Sequence, residues 1–465
     1  MKQQPVKNQF PWKLALPLYA LSYGFVLLFL KAYFWDDWLL FYSLSNDGTK
    51  DLFRQIGLTP IHAFIQVDVL NRQLELFRFL TIACFLSSGW FLFHILNTLK
   101  ILSTEQVRLI TILFLILPIN SARVSVFGYS YSFFFFYLAW YLLVTKHSRF
   151  VRFLSVPLFL LSFSTVALVA FYVVPCAHFL YMKLSVPEPN RRHPYILSTL
   201  LASISPLYWI IDRQINAPQG AYLAMYTPQK LGVLRALLLL FLCAVMIFWF
   251  WKSRKKSTLE SNRYAIIIAG ITITVIGASP YIVGGHLVDI SEWMISFVPG
   301  YSDWRSRNQL LLGLGLAVTI AGAIGSVDST FKRHCVAMLF GLCVMLNMTY
   351  MHSYYLDSLK QDQVIAAFQR SSELKDSRVI MINDLTDRFN ARGRTYRSYE
   401  WDGILAKASG DNLRSAISGL SYVHCTDPLI PDTLLTITAR NGRLESTVSR
   451  DLGIELSWET IQPCK

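Results

Sequence analysis

Charge is what this chain has least of: Asp, Glu, Lys and Arg make up 15% of its 465 residues, against 54% hydrophobic. That balance excludes a soluble globular protein of this length, because the apolar residues fall in long blocks rather than a scattered pattern. No Gly-rich phosphate loop ends in Lys-Ser or Lys-Thr, which excludes an ATP-driven motor, and neither zinc-spaced Cys/His clusters nor a nucleophile elbow occur. Charges inside the apolar blocks are few, which argues against a transporter that relays protons or ions across a bilayer. The two halves also lack the repeat that many transporters carry. Cysteine is sparse: Cys84, Cys176, Cys243, Cys335 and Cys343 sit in apolar blocks as small fillers, while Cys425 and Cys464 fall in the polar tail. Those two are either a disulfide or a pair of free thiols.

What is present is a series of apolar windows running from Trp12 to about His352, each near the ~17–25 residues that cross a bilayer as a helix. They predict an all-α polytopic membrane protein of about eleven spans, near 13–31, 76–98, 107–119, 128–145, 153–165, 167–183, 195–211, 231–251, 264–284, 308–326 and 335–352. The stretch 153–183 reads either as one long helix or as two short ones meeting at Ser162–Thr165. Met1–Lys13 and the run behind it read as an uncleaved first span, since no small-residue cleavage site follows. The expected division is a multi-span domain over 1–352 and a soluble α/β domain over 353–465.

A net charge of +14 would suit nucleic acid, but the basic residues cluster in short segments between spans, as membrane orientation requires. Lys2, Lys7, Lys13, Lys100, Arg108, Lys146, Arg149, Arg152, Lys183, Arg191 and Arg192 fall on one side, with Lys252 to Arg263, Lys332 and Arg333. That side is the cytoplasmic one. An odd span count then puts the first loop (34–75) and the tail outside. Within the tail, Gln361–Glu373 has helical character, Arg378–Ile382 reads as a buried strand, and Leu434–Ser449 reads as a hairpin turning at Asn441-Gly442. Leu456–Ile461 reads as a further strand. The basic–aromatic stretch from Arg392 to Trp401 reads first as the surface and core of a small domain, and second as a sugar- or phosphate-contacting loop.

Asp36-Asp37, flanked by Trp35 and Trp38 where the first span ends, is the strongest chemical signal. Ionised side chains are costly near hydrocarbon, so a paired acid at that depth points to a functional site. Trp35, Trp38, Leu39 and Tyr42 follow an i, i+3, i+4, i+7 spacing, which predicts a helix lying flat on the membrane with the acids pointing away from the apolar stripe. Two carboxylates can divide the work of a base and an orienting acid, or together hold a hard divalent cation. A helix cap needs only one. His62 and Asp68 share this loop.

Arg305 and Arg307, in Gly300-Tyr-Ser-Asp-Trp-Arg-Ser-Arg-Asn-Gln309, lie on the side where basic residues are scarce. A guanidinium fork suits phosphate oxygens, and a lipid-linked phosphate would arrive at this depth; a snorkelling anchor explains one of the two. Arg123 is a third cation on that side, read as facing headgroups. Asp289 and Glu292 are extra acids that would complete a metal site.

An acidic pair just after the first span, a membrane-parallel helix behind it, about eleven spans and an exported C-terminal domain together resemble the GT-C glycosyltransferases, the polyprenyl-phosphate-sugar-dependent integral membrane enzymes. The resemblance implies that Asp36 or Asp37 deprotonates an acceptor hydroxyl on a glycan, lipid or protein, with Mg2+ or Mn2+ as the metal the pair would take. Arg305 and Arg307, and Arg123 beside them, would meet the donor phosphate. It further implies a bacterial plasma membrane, a cytoplasmic N-terminus and inversion of configuration. The rival readings are a polysaccharide polymerase or ligase centred on arginines, and a lipid or glycan exporter without chemistry.

Overall fold

The structure, a computed structural model, describes residues 9–71, 73–99, 101–120, 123–124, 127–146, 148–185, 228–253, 260–285, 309–325, 329–372, 379–410, 415–418, 433–439 and 454–460, with single positions at 374, 377 and 452 and most of 203–219. The protein is mostly helical and membrane-embedded. Among the described residues, the helices long and apolar enough to cross a bilayer include four segments: Leu74–Leu96, Lys230–Ile247, Arg263–Val283 and Thr330–Arg370. This corrects the count of about eleven full spans.

The physical reason is that several apolar runs are cut short. Thr104–Ile116 starts at a reciprocal cap between Ser103 and Gln106 and stops after 13 residues, about 20 Å of helix where the hydrocarbon core is about 30 Å thick. It stops because Leu117 precedes Pro118 and takes an extended ψ of 125°. Leu312–Ile324 is likewise 13 residues. The run over 153–183 is broken, with helices Ser155–Ser162 and Ala167–Phe171 meeting across 163–166 and Val173–Ser185 following, in keeping with the second of the two readings. The 195–211 run lies largely outside the described residues.

The main helices are α1 Trp12–Tyr23, α2 Asn46–Ile56, α3 Leu74–Leu96, α4 Thr104–Ile116, α5 Phe127–Thr145, α6 Glu260–Val283, α7 Leu312–Ile324, α8 Ser329–Arg370 and α9 Ser398–Ser409. Phe85 of α3 meets Phe133 of α5 in the buried core, while Phe136 and Trp140 turn to Phe159, Phe171 and His178 of the helices that follow. Between α6 and α7 the contact is made by small residues instead. A Cβ on Gly270 would lie 2.4 Å from the Thr319 hydroxyl, and one on Gly315 would lie 2.3 Å from that of Thr274. Each glycine thus receives a threonine of the other helix, a close approach typical of helices packed in lipid.

α8 is a single helix of 42 residues, about 63 Å long at 1.5 Å per residue. The division between 352 and 353 therefore falls inside an unbroken helix, and its polar half packs on a four-stranded sheet of order β2-β1-β3-β4. These strands are β1 Val379–Asp384, β2 Ser415–Ser418, β3 Thr433–Ala439 and β4 Ile454–Thr460. β1 runs parallel to both β2 and β3, and β3 pairs antiparallel with β4. Ala439 pairs with Ile454, so both edges of β3 are taken and a two-residue turn at Asn441-Gly442 is not what closes this pair. Asn441-Gly442 itself, like Cys425 and Cys464, lies outside the described residues.

The core of this mixed layer contains Val364, Phe368, Ile380, Ile382, Trp401, Ile404, Leu435 and Ile437, and also Trp38 from the loop after α1. The loop and the C-terminal layer share one apolar core.

Candidate active site at the seam

Trp35 opens the site. Its φ is +49°, a left-handed conformation that strains a bulky residue by about 1–3 kcal/mol. The strain is held by contacts on both sides. On one, the indole ring meets Tyr354 of α8 at 5.5 Å, edge to face. On the other, the Trp35 backbone N–H donates to Glu400 Oε1 at 3.1 Å. Beyond it the chain makes a helical turn at Asp36-Asp37 and a π-turn over Trp38–Ser43, a form met often at functional sites.

The two acids go separate ways. Asp37 is buried, and its Oδ2 accepts from Arg78 Nη2 of α3 at 2.8 Å and from the Phe34 N–H at 3.1 Å. Arg78 also donates to the carbonyls of Ala32 and Val124, with its guanidinium 4.9 Å from the Phe34 ring. Burial pushes the Asp37 carboxyl up to about 6, with Asp36 adding to the rise and Arg78 and the Phe34 N–H opposing it. Asp36 is half-buried at the seam and its Oδ1 accepts from the Tyr399 hydroxyl at 3.1 Å. Burial, with the charges of Asp36 and Glu400 close by, raises the Tyr399 phenol further, so it stays a proton donor.

Glu400 is fully buried in α9 and pairs with Arg394, whose Nη1 donates to Oε2 at 2.6 Å while Nη2 donates to Oε1. The same carboxylate accepts the Arg397 N–H at 3.0 Å, capping the start of α9. The Arg394 guanidinium stands 4.9 Å over the Trp35 ring. Below it, Gln361 of α8 donates to the Tyr33 carbonyl at 2.8 Å and to Asp357 Oδ1 at 2.7 Å. Lys360 reaches Asp384 Oδ2 at 2.5 Å and Asn390 Oδ1 at 2.6 Å. The basic–aromatic stretch is therefore mainly core, as its first reading holds, and it meets the acid pair through Tyr399 and Glu400.

Several expectations for this region are corrected. Trp35 and Trp38 are 3% and 0% exposed, so the stripe is buried in protein rather than laid on lipid. Asp36 and Asp37 do not face one way: one meets α9 and the other α3. Arg123 does not face headgroups. It is buried, donates to the Tyr23 hydroxyl and the Leu115 carbonyl, both at 3.1 Å, and stacks 4.2 Å from the Phe85 ring. Asp68 makes an exposed ion pair with Lys50 at 2.7 Å. His62 is buried between Tyr131 and Ser164, with Nε2–H donating to the Ser164 carbonyl at 2.8 Å and Nδ1 accepting from the Tyr131 hydroxyl at 2.5 Å. Burial lowers this imidazole to about 4, and it pegs the loop to the bundle as a neutral ring. Arg305, Arg307, Asp289 and Glu292 lie outside the described residues.

At the pair, Arg78 and the Phe34 N–H both hold Asp37 Oδ2, so a divalent cation would compete with a guanidinium for that oxygen. Among the described residues no group of three or more His, Cys, Asp or Glu side chains is placed to hold a metal.

Arg78 and Glu400 were not singled out by sequence, and Tyr399 only as part of the basic–aromatic stretch, not as a partner of the acid pair. For Arg78 a signal existed, an arginine set inside an apolar run of membrane length. For Tyr399 and Glu400 no local signal exists, since 363 and 365 positions separate them from their partners.

Comparison with protein-family models gave no match, and comparisons with curated proteins and with solved structures gave none either.

Proposed function

We propose that the protein is a membrane glycosyltransferase of GT-C type that moves a sugar from a polyprenyl-phosphate donor to an acceptor hydroxyl. What carries this reading is Asp36. It is a half-buried carboxylate at the junction of an apolar helical bundle and a polar α/β layer, on a strained turn, beside a neighbouring acid already neutralised by Arg78. A donor with a lipid tail and a sugar head has those two environments as its own halves.

Asp36 takes the proton of the acceptor hydroxyl as that oxygen attacks the anomeric carbon. The bond from that carbon to the lipid phosphate breaks, and the phosphate leaves as an anion. A single displacement inverts configuration. Asp37 acts by position, tying the turn to α3. Arg305 and Arg307 are proposed to stabilise the leaving phosphate. The side carrying Asp36 is read as extracytoplasmic with the N-terminus cytoplasmic, on the sorting of basic residues, and the membrane as a bacterial plasma membrane, on the resemblance.

Transfer of radiolabelled sugar from polyprenyl-phosphate donors in membranes tests this, with Asp36→Asn and Asp37→Asn compared at equal insertion. Asp36→Asn is expected to lower the rate by about 100-fold or more, the usual contribution of a general base. Transfer that persists with both acids neutralised would remove the pair from the chemistry and favour the arginine-centred polymerase. Absence of transfer by the wild type with every donor tried would favour the exporter.

A further inference from the structure

The polar contacts between the acid turn and α9 are made in register. Consecutive residues of the helix hold consecutive residues of the turn: Tyr399 donates to the Asp36 carboxylate at 3.1 Å, and Glu400 accepts the Trp35 N–H at 3.1 Å. Glu400 is itself clamped by Arg394 and by the Arg397 N–H. Beneath them, Gly403 sits one turn further along α9 with no side chain, and the Trp38 indole fills that space: a Cβ at Gly403 would lie 2.6 Å from Cε3 of the ring. The left-handed φ of Trp35 is a conformation that this residue would abandon without such support. The orientation of Asp36 is thus decided by a layer remote in sequence.

We propose that the first turn of α9 is the positioning element of the site, with Glu400 holding the Trp35 backbone in its left-handed conformation and Tyr399 orienting the Asp36 carboxylate toward the acceptor. The C-terminal layer then completes the catalytic geometry. The catalytic half of this inference rests on the glycosyltransferase reading; the mechanical half does not. Among the described residues, Asp37, itself paired with Arg78 of the bundle, lies beside Asp36, and Glu400 and Arg397 act on Tyr399. None of them replaces the Tyr399 hydroxyl as a neutral donor.

The test uses the full chain in lipid nanodiscs, with Tyr399→Phe and Glu400→Gln, and reads two things. The first is amide hydrogen exchange over 33–38. Glu400→Gln is expected to speed exchange at Trp35 by about tenfold or more, the effect of replacing a charged acceptor by a neutral amide, while Tyr399→Phe leaves that amide protected. Unchanged exchange in Glu400→Gln overturns the clamp whether or not the protein transfers sugar. The second is sugar transfer. Tyr399→Phe is expected to lower kcat by about tenfold or more with the donor KM within about twofold, since a misaimed base weakens the transition state and not ground-state binding. If Asp36→Asn abolishes transfer while Tyr399→Phe keeps a wild-type kcat, the positioning role fails and the base assignment stands. If neither substitution affects transfer, the reading of Asp36 as the base fails, and the exchange result alone judges the clamp.

Discussion

Trp38 offers the sharpest test of how the acid turn is held. A tryptophan lying on lipid at the bilayer surface can be removed with little effect on folding, whereas one inside a protein core cannot. Trp38 is 0% exposed and packs with Trp401, Ile404 and Phe368. A tryptophan buries about 150–250 Å2, which at about 25 cal/mol per Å2 is about 4–6 kcal/mol as an upper bound. Measured core truncations of this size cost about 3–5 kcal/mol, so Trp38→Ala is expected to destabilise the C-terminal layer by about 3–5 kcal/mol. Gly403→Ala, by contrast, adds a Cβ that would stand 2.6 Å from the ring, an overpacking expected to cost about 1–3 kcal/mol. The two effects share one space. In a Trp38→Ala background the extra methyl enters a hole, so the double variant is expected to be less destabilised than the sum of the singles by about 1–3 kcal/mol. Denaturant melts followed by proteolysis of the C-terminal layer in nanodiscs measure all four members of the cycle. A Trp38→Ala protein within about 0.5 kcal/mol of wild type, or strictly additive effects, would refute the shared core.

Three further outcomes follow from the same geometry. Because the folded Asp37 carboxyl sits at about 6, above its ordinary 3.8, the folded state holds a proton that the unfolded chain has lost. This group's contribution to stability is therefore full below pH 3.8 and falls as pH rises to about 6, by at most about 3 kcal/mol. The fall should appear as a pH-dependent gap between wild-type and Asp37→Asn melting curves, and a constant gap over that window would contradict it. Gly270→Ala brings a Cβ to 2.5 Å from the Thr319 backbone nitrogen. It should force α6 and α7 apart and lower thermal stability in detergent far more than Gly341→Ala, where nothing lies within 4 Å. Asp68→Asn breaks only an exposed pair with Lys50 and should leave sugar transfer and stability within about 1 kcal/mol of wild type.

The membrane class of this protein was legible in its sequence, because hydrocarbon thickness translates into run length and composition, both local properties. The strands β1 and β4 were legible for the same reason, and so was the unusual placement of Asp36-Asp37, since an acid pair beside an apolar run is anomalous wherever the chain goes next. The spacing of Trp35, Trp38, Leu39 and Tyr42 correctly announced a face to be buried. Periodicity names the face but not its partner, and here the partner is α8, α9 and the sheet rather than lipid. The full span count failed because Thr104–Ile116, stopped by the proline after Leu117, and Leu312–Ile324 are 13 residues each and too short to cross a bilayer. Which acid is neutralised and which is left at the seam was decided only by tertiary structure. Arg78 lies 41 positions from Asp37, and Tyr399 lies 363 from Asp36. Contacts over such separations are set by how helices and strands pack, and nothing in the local sequence of either partner encodes the meeting.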